Sequence, residues 1–569
     1  MASFTRRRFL EYGAAGAAAW LVPWQLKTAQ AASAARHLQK YVENVPLPGH
    51  GIVVAAQSSA DVYSFTERRL SRRLHPDLPP TPFWAYDDGS GLEGQAGSFG
   101  MAVVAEKGTP LTVSYTHALP SSYPAWIPVD PRLTPLGDEV RTMVHLHGAF
   151  VAGASDGNPT VTPLGFGHGE TQTVHYPNEQ PATLLWFHDH AMGATRLNVF
   201  AGLAAAYLLR DEFDTGEPDN ANGLPSGPYE VPLVLQDRQF NDDGTFLYPV
   251  SDIPGVTWIG EYFGDTMLVN GKVWPYLEVE PRLYRLRVLN GCNARILNLH
   301  FGGAPMWQIG AEGGLFDRSV RVKRLVLAPA ERADVLIDFA RMAGAEFVVT
   351  NHRPPRPVVT PAPPLPQVMQ IRVSPGSGTS ATIPETLTGG RRGELPSPDR
   401  RRFITLNEVG VDTPDWELTL NGSGFFEEDH VIAPTEVIPV GSVEDWYWVN
   451  LTGDTHPMHT HLFMHEVVGR VPFDVEAYTE AAIAAGFGGP DGFLGGFDPR
   501  PFAIGPLEGP RPEERGFKDT TKANPGQFTI IRGRFDLPSG IRPPQEYVYH
   551  CHIVEHEDNE MMRPFSVVA

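Results

Sequence analysis

The stretch His550-Cys551-His552-Ile553-Val554-Glu555-His556 places a cysteine between two histidines, with a third histidine shortly after them. If its first residues lie on a β-strand, alternate side chains face opposite sides, so the two flanking histidines share one face and Cys551 takes the other. On the cysteine side, His556, Met561 and the upstream His456 can join it. Two imidazoles, one thiolate and one long thioether contact are the ligands of a blue-copper electron-transfer site. The stretch therefore predicts a strand with a one-electron centre on one face and a second metal site on the other.

Histidines elsewhere repeat the His-x-His spacing. The four pairs are His145/His147, His188/His190, His459/His461 and His550/His552. A random scatter of the chain's 20 histidines would produce roughly 0.7 such pairs. On strands, each pair would aim two imidazoles from one face into one cavity, and the four pairs together would make an eight-histidine cage. Imidazole suits copper, zinc or iron, so the histidines alone leave the metal open, and Cys551 is what favours copper.

Composition restricts the class of protein. The chain of 569 residues is 20% charged and 42% hydrophobic, which indicates a folded soluble protein of roughly two to four domains. Its formal charge of -21 disfavours nucleic acid as a partner, because binding phosphates needs a basic surface. The 57 glycines and 54 prolines suit many short strands joined by turns. Only two cysteines occur, so no disulfide framework is expected, and Cys292 is expected to be a buried small side chain.

The N-terminal residues 1–31 have the pattern of a twin-arginine export signal. Arg6-Arg7-Arg8 precedes an apolar stretch over 12–26, and Ala29-Gln30-Ala31 resembles a cleavage site. A basic disordered tail or a membrane anchor are the alternatives, but the apolar stretch is short for a bilayer and contains Pro23. Removing the signal would leave a net charge of about -24. We expect export through the twin-arginine machinery to the periplasm or the exterior, without a stable membrane anchor.

Short β-rich runs alternate with turn clusters from residue 40 onward, which predicts an all-β fold of sandwiches or barrels. Two polar stretches rich in glycine or proline, at about 211–229 and 373–400, divide the chain into three. The predicted bounds are 32–215, 216–375 and 401–569 for three domains, with a linker over 376–400. A further Gly- and Pro-rich segment, at about 485–515, is predicted to form an excursion from the third sandwich.

The metal motifs resemble those of a known family. His145-Leu146-His147-Gly148, Trp186-Phe187-His188-Asp189-His190, His456-Pro457-Met458-His459-Thr460-His461 and the stretch 550–561 are similar to the four copper motifs of the multicopper oxidases. Among these, the chain most resembles the bacterial spore-coat laccase branch, which is related to bilirubin oxidase and phenoxazinone synthase. The resemblance runs from about residue 39 onward. It implies three cupredoxin-like domains, which are Greek-key β-sandwiches, with a trinuclear copper cluster between the first and the third.

The resemblance also implies how four copper ions are held. Type 1 copper would be bound in the third domain by His456, Cys551, His556 and Met561, type 2 copper by His145 and His459, and the type 3 pair by His147, His188, His190, His461, His550 and His552. The middle domain would supply no ligand. Glu557 matches the family's proton-supplying carboxylate, and Asp156 matches an acid near the water exit. For Asp156 the alternative is a turn residue before Gly157.

The resemblance implies a laccase-like oxidase. A phenolic or related small aromatic donor would lose one electron at a time near an exposed edge of His556, and four such events would reduce dioxygen to two waters. Bilirubin oxidase or cuprous-ion oxidase activity is the alternative, although the 12 methionines show no cluster of the kind expected of a cuprous-ion oxidase. A copper nitrite reductase should lack a full type 3 set. A non-catalytic cupredoxin scaffold or a copper-storage protein fits the complete ligand set poorly. Asn158-Pro159-Thr160-Val161 lacks an aromatic residue that some relatives carry, so substrate choice is the least transferable inference.

Overall fold

The computed structural model describes residues 34–48, 51–52, 54–55, 57–90, 102–134, 137–379, 381–391, 395–411, 413–427 and 430–569. The predicted export signal over 1–31 lies outside these residues. Strands dominate the described chain, which confirms the predicted all-β class. The described helices are α1 (Thr195–Ala201), α2 (Val475–Ala484) and α3 (Val554–Asp558). Among the described residues, no helix has the length and apolar character needed to cross a membrane.

The first third of the chain is a sandwich of two four-stranded sheets, ordered β4-β3-β6-β8 and β5-β10-β9-β7, beside a short β1-β2 ribbon. Its strands are β1 (Leu47–Pro48), β2 (Gly51–Ile52), β3 (Val62–Arg72), β4 (Thr81–Asp87), β5 (Val103–Glu106), β6 (Leu111–His117), β7 (Val144–His147), β8 (Thr171–Tyr176), β9 (Thr183–Asp189) and β10 (Ala204–Arg210). Rings from the two sheets meet between them, with the centroids of Tyr86 and Phe187 5.0 Å apart. Strand β6 alternates buried and half-buried residues, whereas β9 is buried throughout because other parts of the protein cover both its faces.

The middle third is a sandwich of a seven-stranded sheet, ordered β13-β12-β11-β15-β20-β17-β18, and a five-stranded sheet, ordered β14-β22-β21-β16-β19. Its strands are β11 (Glu230–Arg238), β12 (Thr266–Val269), β13 (Lys272–Val273), β14 (Tyr276–Val279), β15 (Leu283–Asn290), β16 (Leu297–His300), β17 (Met306–Ala311), β18 (Gly314–Val322), β19 (Leu325–Leu327), β20 (Arg332–Asp338), β21 (Glu346–Asn351) and β22 (Gln367–Val373). Leu286 and Val335 of the larger sheet share a core with Ile371 of the smaller one. Cys292 is buried in this core, as expected, and both cysteines are free.

The last third pairs two five-stranded sheets, ordered β24-β23-β28-β34-β30 and β27-β36-β35-β29-β33. Its strands are β23 (Arg400–Val409), β24 (Glu417–Leu420), β25 (Phe426–Glu427), β26 (His430–Val431), β27 (Glu436–Pro439), β28 (Val443–Asn450), β29 (His456–Thr460), β30 (His465–Pro472), β31 (Gly488–Gly489), β32 (Gly492–Phe493), β33 (Thr520–Ala523), β34 (Gln527–Arg534), β35 (Gln545–Cys551) and β36 (Met562–Val568). Trp446 of the first sheet packs against Tyr549 of the second, with ring centroids 5.1 Å apart. The three predicted sandwiches are therefore confirmed.

The three sandwiches share a pattern of strand pairing that the residues themselves do not repeat. The first long strand of each third runs parallel to a later strand, in the pairs β3-β6, β11-β15 and β23-β28. In the second sheet of each third the pairs β5-β10, β14-β22 and β27-β36 are also parallel. Parallel neighbours need crossover connections rather than hairpins. Each third therefore combines parallel and antiparallel strand pairs in both of its sheets.

Contacts between the thirds hold the assembly together. Trp186 of the first third packs with Val234 and Leu289 of the middle third in one buried cluster. Ala34 and Leu38, which fall within the predicted bounds of the first domain, pack in the hydrophobic cluster that forms the core of the middle third. The amide of Ala34 also donates to the carbonyl oxygen of Phe240 at 3.0 Å. The predicted domain bounds stay a prediction.

A helix directly precedes the segment predicted as an excursion, about 485–515. Helix α2 starts after Asp474, whose carboxylate accepts a hydrogen bond from the amide of Ala477 at 3.0 Å and so caps the helix. Tyr478 packs against Phe473 with ring centroids 5.5 Å apart, which anchors the helix to the last third. The β31-β32 ribbon follows. Farther along, Ile504 is 69% exposed, so the far part of the segment lies on the surface.

Candidate metal centre

The four histidine pairs lie at the ends of neighbouring strands. In the first third, β7 and β9 pair with His145 opposite His188. In the last third, β29 and β35 pair with His459 opposite His550. Strand β7 contains both its histidines, but the other three strands end between the two members of their pairs. The expectation that both members lie on a strand is therefore wrong for three pairs, because the chain leaves the sheet there.

The eight histidines meet in one buried cavity between the first and last thirds. They form three groups of closely spaced ring nitrogens. The groups are His147 with His188 and His552, His190 with His461 and His550, and His145 with His147 and His459. The Nε2 atom of His550 lies 3.3 Å from Nε2 of His190 and 3.3 Å from Nε2 of His461. The predicted cage is present. His145 and His147 share one group, the two histidines of each other pair belong to different groups, and every group combines the first and the last third.

The donor atoms in this cavity fit metal ions. Within the described residues, Nε2 of His145, His188 and His459 has no hydrogen-bond partner although all three side chains are buried. Burial and the neighbouring imidazoles hold the pKa of each of these histidines well below its usual value. The rings are therefore neutral and present lone pairs. Buried acceptors without partners are costly, and a cation among them would remove that cost.

Backbone carbonyl groups hold the other ring nitrogen of these histidines. Nδ1 of His145 donates to the carbonyl oxygen of Asp156 at 2.5 Å, and Nδ1 of His188 donates to that of Asp189 at 2.8 Å. A carbonyl oxygen can only accept, so each Nδ1 carries the proton and each Nε2 is left as the ligand atom. Such outer contacts fix the orientation of the ring as well as its tautomer.

His147 has the opposite arrangement. Its Nε2 lies 3.1 Å from Oδ1 of Asp519, and its Nδ1 is buried without a partner among the described residues. The carboxylate therefore holds the proton on Nε2 and leaves Nδ1 for a metal. The backbone carbonyl of the same Asp519 accepts from Nδ1 of His459 at 2.9 Å. One residue thus orients two ligands, one with its side chain and one with its backbone.

A second group lies on the other side of β35. Sγ of Cys551 is 3.5 Å from Nδ1 of His456 and 3.7 Å from Nδ1 of His556, and the two Nδ1 atoms are 3.3 Å apart. Burial raises the pKa of the Cys551 thiol well above its usual value, a cost that a bound cation would offset by favouring the thiolate. Met561 packs in the same cluster as Cys551, whereas Met562 packs in a separate cluster with Phe425. His456, Cys551 and His556 of the predicted set therefore form one group, and Met561 adjoins it, since its carbonyl oxygen accepts from the amide of Cys551 at 3.0 Å.

The predicted exposed edge of His556 is absent. Only 1% of the residue is exposed, and His456 is fully buried, with its Nε2 2.7 Å from the hydroxyl of Thr452. Packing around the last third covers both rings, which the sequence could not indicate. The side chain of Glu408 is 12% exposed, and its Oε1 lies 3.6 Å from Nε2 of His456. Electrons would therefore enter through groups that cover the histidines.

Both predicted acids lie beside the histidine cavity. The carboxylate of Glu557 is 3.3 Å from Nδ1 of His190 and 3.3 Å from Nδ1 of His550, and burial raises its pKa. Asp156 accepts a hydrogen bond from Nδ1 of His461 at 2.7 Å, and burial raises its pKa to about 7. Asp156 also ends a short 3-10 turn before Gly157, as the turn alternative predicts, and its role as an acid near a water exit stays a prediction. A carboxyl group with a raised pKa can hold and release a proton near neutral pH.

Sequence reasoning missed several residues around the cavity. Asp519 has no motif of its own, and Arg332, which pairs with it, lies in the third of the chain without a ligand group among its described residues. Asp558 was also missed. Its carboxylate accepts from the amides of Thr195 and Arg196 at 3.0 and 2.8 Å and so joins the start of α1 to α3. Only the position of Asp558, directly after Glu557, could have drawn attention to it.

The chain is similar in sequence and in structure to multicopper oxidases. Two family profiles, both described as multicopper oxidase, match residues 138–213 and 398–569. A laccase from Bacillus subtilis (strain 168) is 34% identical over 93% of this chain and 99% of its own length. A laccase from Bacillus stratosphericus is 36% identical over 94% of this chain and 100% of its own length. The crystal structure of the McoA multicopper oxidase from the hyperthermophile Aquifex aeolicus has a TM-score of 0.71 at 25% identity, covering 94% of this chain and 100% of that one.

Proposed function

Because this chain belongs to the multicopper oxidase family and is a laccase-like oxidoreductase, we propose that it removes electrons singly from a small phenolic or related aromatic donor. Four such oxidations would reduce one dioxygen to two waters. The observation that carries this proposal is the Cys551 group on one side of β35, with the eight-histidine cavity on the other. A protein with a single copper site would need only the Cys551 group or the histidine cavity.

We propose that the two places together hold four copper ions. His456, Cys551, His556 and Met561 would hold type 1 copper, His145 and His459 type 2 copper, and His147, His188, His190, His461, His550 and His552 the type 3 pair. The orphaned ring nitrogens and the meeting points of the histidines support this assignment. Bound copper would supply the one-electron chemistry and the reduction of dioxygen.

The protein's own groups would guide electrons and protons. Cys551 is joined by single peptide bonds to His550 and His552, so it connects the two places through covalent bonds. Glu557 would deliver protons, because its buried carboxyl group lies 3.3 Å from His190 and 3.3 Å from His550. Asp156 would hold a proton at His461, which belongs to the same group as those two histidines. Water formation consumes protons, and these two acids support their supply.

A reducing metal cation is a second candidate donor. Glu261, Glu408 and Asp454 lie near one another beside the Cys551 group, and Glu408 is 3.6 Å from His456. Burial, together with the charges of Asp454 and Glu408, raises the pKa of Glu261 well above its usual value. A cation bound among these carboxyl groups would favour their ionised form, whereas a neutral phenol would gain nothing from them.

Export and domain bounds are also part of the proposal. We propose that residues 1–31 direct the chain through the twin-arginine pathway to the periplasm or the exterior, and that 32–215, 216–375 and 401–569 are its cupredoxin domains around a linker over 376–400. The sequence pattern of Arg6-Arg7-Arg8 supports the export route. Replacing Arg6 and Arg7 by lysine should keep the protein in the cytoplasm, as cell fractionation would show. Unchanged export would contradict the route.

The function is tested by metal analysis followed by oxygen uptake. We expect about four coppers per chain, a blue absorption band, and oxygen uptake with phenols. Bilirubin, cuprous ion and ferrous ion complete the panel of donors. Chains that load fewer than three coppers, or that consume no oxygen with any donor, would contradict the proposal. Glu408→Gln separates the donor classes, because it should raise KM for a cation more than KM for a phenol.

A further inference from the structure

Arg332 opens strand β20 in the middle third, the part of the chain that the copper assignment leaves without a ligand. Its side chain is buried, and its guanidinium group reaches across to the last third. NH1 donates to Oδ1 of Asp519 at 2.8 Å, and NH2 donates to Oδ2 at 2.6 Å. Such a bidentate pair fixes the plane of the carboxylate as well as its position.

The same guanidinium group is also held by the first third. Its Nε donates to the carbonyl oxygen of Leu184 in β9 at 3.0 Å, and NH1 donates to that of Ala330 at 3.0 Å. Arg332 therefore contacts all three thirds at one point. Gly148 leaves room for this contact, because a Cβ atom there would collide with Oδ2 of Asp519 and NH2 of Arg332.

Asp519 transmits this position to two histidines. Its Oδ1 lies 3.1 Å from Nε2 of His147, and its backbone carbonyl oxygen accepts from Nδ1 of His459 at 2.9 Å. The hydroxyl of Thr520 completes the contact by donating to Oδ1 of Asp519 at 2.9 Å. If the carboxylate turned, His147 would lose the acceptor that keeps its Nδ1 free.

We propose that Arg332 is a positioning residue for the trinuclear copper site, acting through Asp519 on His147 and His459. This inference rests on the copper assignment proposed above. The middle third then contributes to the site although it holds no ligand. Lysine cannot replace the bidentate geometry fully, because it offers a point charge in place of a planar fork.

The test compares Arg332→Gln with Arg285→Gln. Arg285 is a matched control, since it is buried in the same sheet and bidentate to Asp214, at 2.7 Å from each guanidinium nitrogen. Copper content, the type 2 signal in electron paramagnetic resonance and the melting temperature of the metal-free protein are measured for both. We expect Arg332→Gln to keep the blue band, to alter the type 2 signal, and to weaken retention of the type 2 copper about 10- to 100-fold. Arg285→Gln should lower the melting temperature alone.

Arg332→Lys keeps the test decisive if the glutamine variant does not fold. Arg332→Lys should restore part of the type 2 signal. Asp519→Asn should reproduce the altered type 2 signal and the weaker copper retention expected of Arg332→Gln. A type 2 signal and copper content that match Arg285→Gln in all these variants would overturn the inference. A wild-type protein that itself shows no type 1 or type 2 signal would instead overturn the copper assignment, so the two failures are distinguishable.

Discussion

Nδ1 of His550 lies 3.1 Å from the backbone carbonyl oxygen of the adjacent Cys551, although the two side chains face opposite sides of β35. The contact ties a histidine of the large cavity to the residue that carries the sulfur of the smaller site. Two routes therefore connect the sites, one along the covalent backbone and one through this hydrogen bond. Both pass through Cys551.

Replacing Cys551 by serine should remove the blue absorption and the turnover of organic donors. A hydroxyl group is a poor substitute for a thiolate at a blue-copper site. The histidine cavity should still load its metal, because its ligands are other residues. Absorption spectra and copper analysis check this result. A blue, active Cys551→Ser protein would refute the ligand assignment.

Replacing Glu557 by glutamine should slow oxygen reduction about 10²-fold or more while copper loading stays unchanged. The amide keeps the size of the side chain but cannot supply a proton to the cavity. Rapid-mixing measurement of the reduced enzyme with oxygen isolates this step. Glu67→Gln is the control, because it also removes a buried carboxyl group but lies in the first third, on β3. Equal rates in the two variants would exclude the proton role.

Glu67 should make stability depend on pH. Burial raises its pKa from 4.5 to about 7, so the folded state binds this proton more tightly than the unfolded chain does. Stability is therefore lost as the pH rises from the unfolded value to the folded one, by up to ~3 kcal/mol. Glu67→Gln removes this dependence while its amide oxygen can still accept from Thr142, which donates to Glu67 at 2.5 Å. Between pH 4.5 and 8, the free energy of unfolding of the variant should rise relative to that of the wild type. Parallel curves of the two against pH would contradict the assignment.

Gly157 should tolerate no side chain. Its φ is +70°, and a Cβ atom would collide with the carbonyl oxygen of Val144. Gly169 has a φ of +86° but nothing within 4 Å of its would-be Cβ, so Gly169→Ala measures backbone strain alone, at about 1–2 kcal/mol. Gly157→Ala should cost roughly 4 kcal/mol or more and should also disturb the type 2 signal, since the carbonyl of Asp156 orients His145. Equal melting temperatures for the two variants would contradict this.

Much of the site follows from local backbone geometry. The two-residue period of a strand predicts that Cys551 and its flanking histidines face apart, and this holds even though His552 lies just beyond the end of β35. The choice of Met561 over Met562 depends on how the chain turns after α3. That turn, with Glu560 at a φ of +68°, is not readable from spacing.

Other features depend on contacts between distant parts of the chain. The tautomer of His147 is set by Asp519, which lies 372 residues away in sequence, and Asp519 is set in turn by Arg332. No spacing rule links three such residues. The burial of His556 is of the same kind, because it results from packing around the ring rather than from its own neighbours in sequence.

The sharing of every histidine group between the first and last thirds determines when the oxidase can become active. A ribosome that has made residues 1–458 has produced half of the cavity's imidazoles and no complete group. The group that contains His190 is incomplete until His550 has been synthesised, 360 residues later. Completion of each metal group is therefore an event of the finished chain, and a translation product broken off midway carries no complete oxygen-reducing centre.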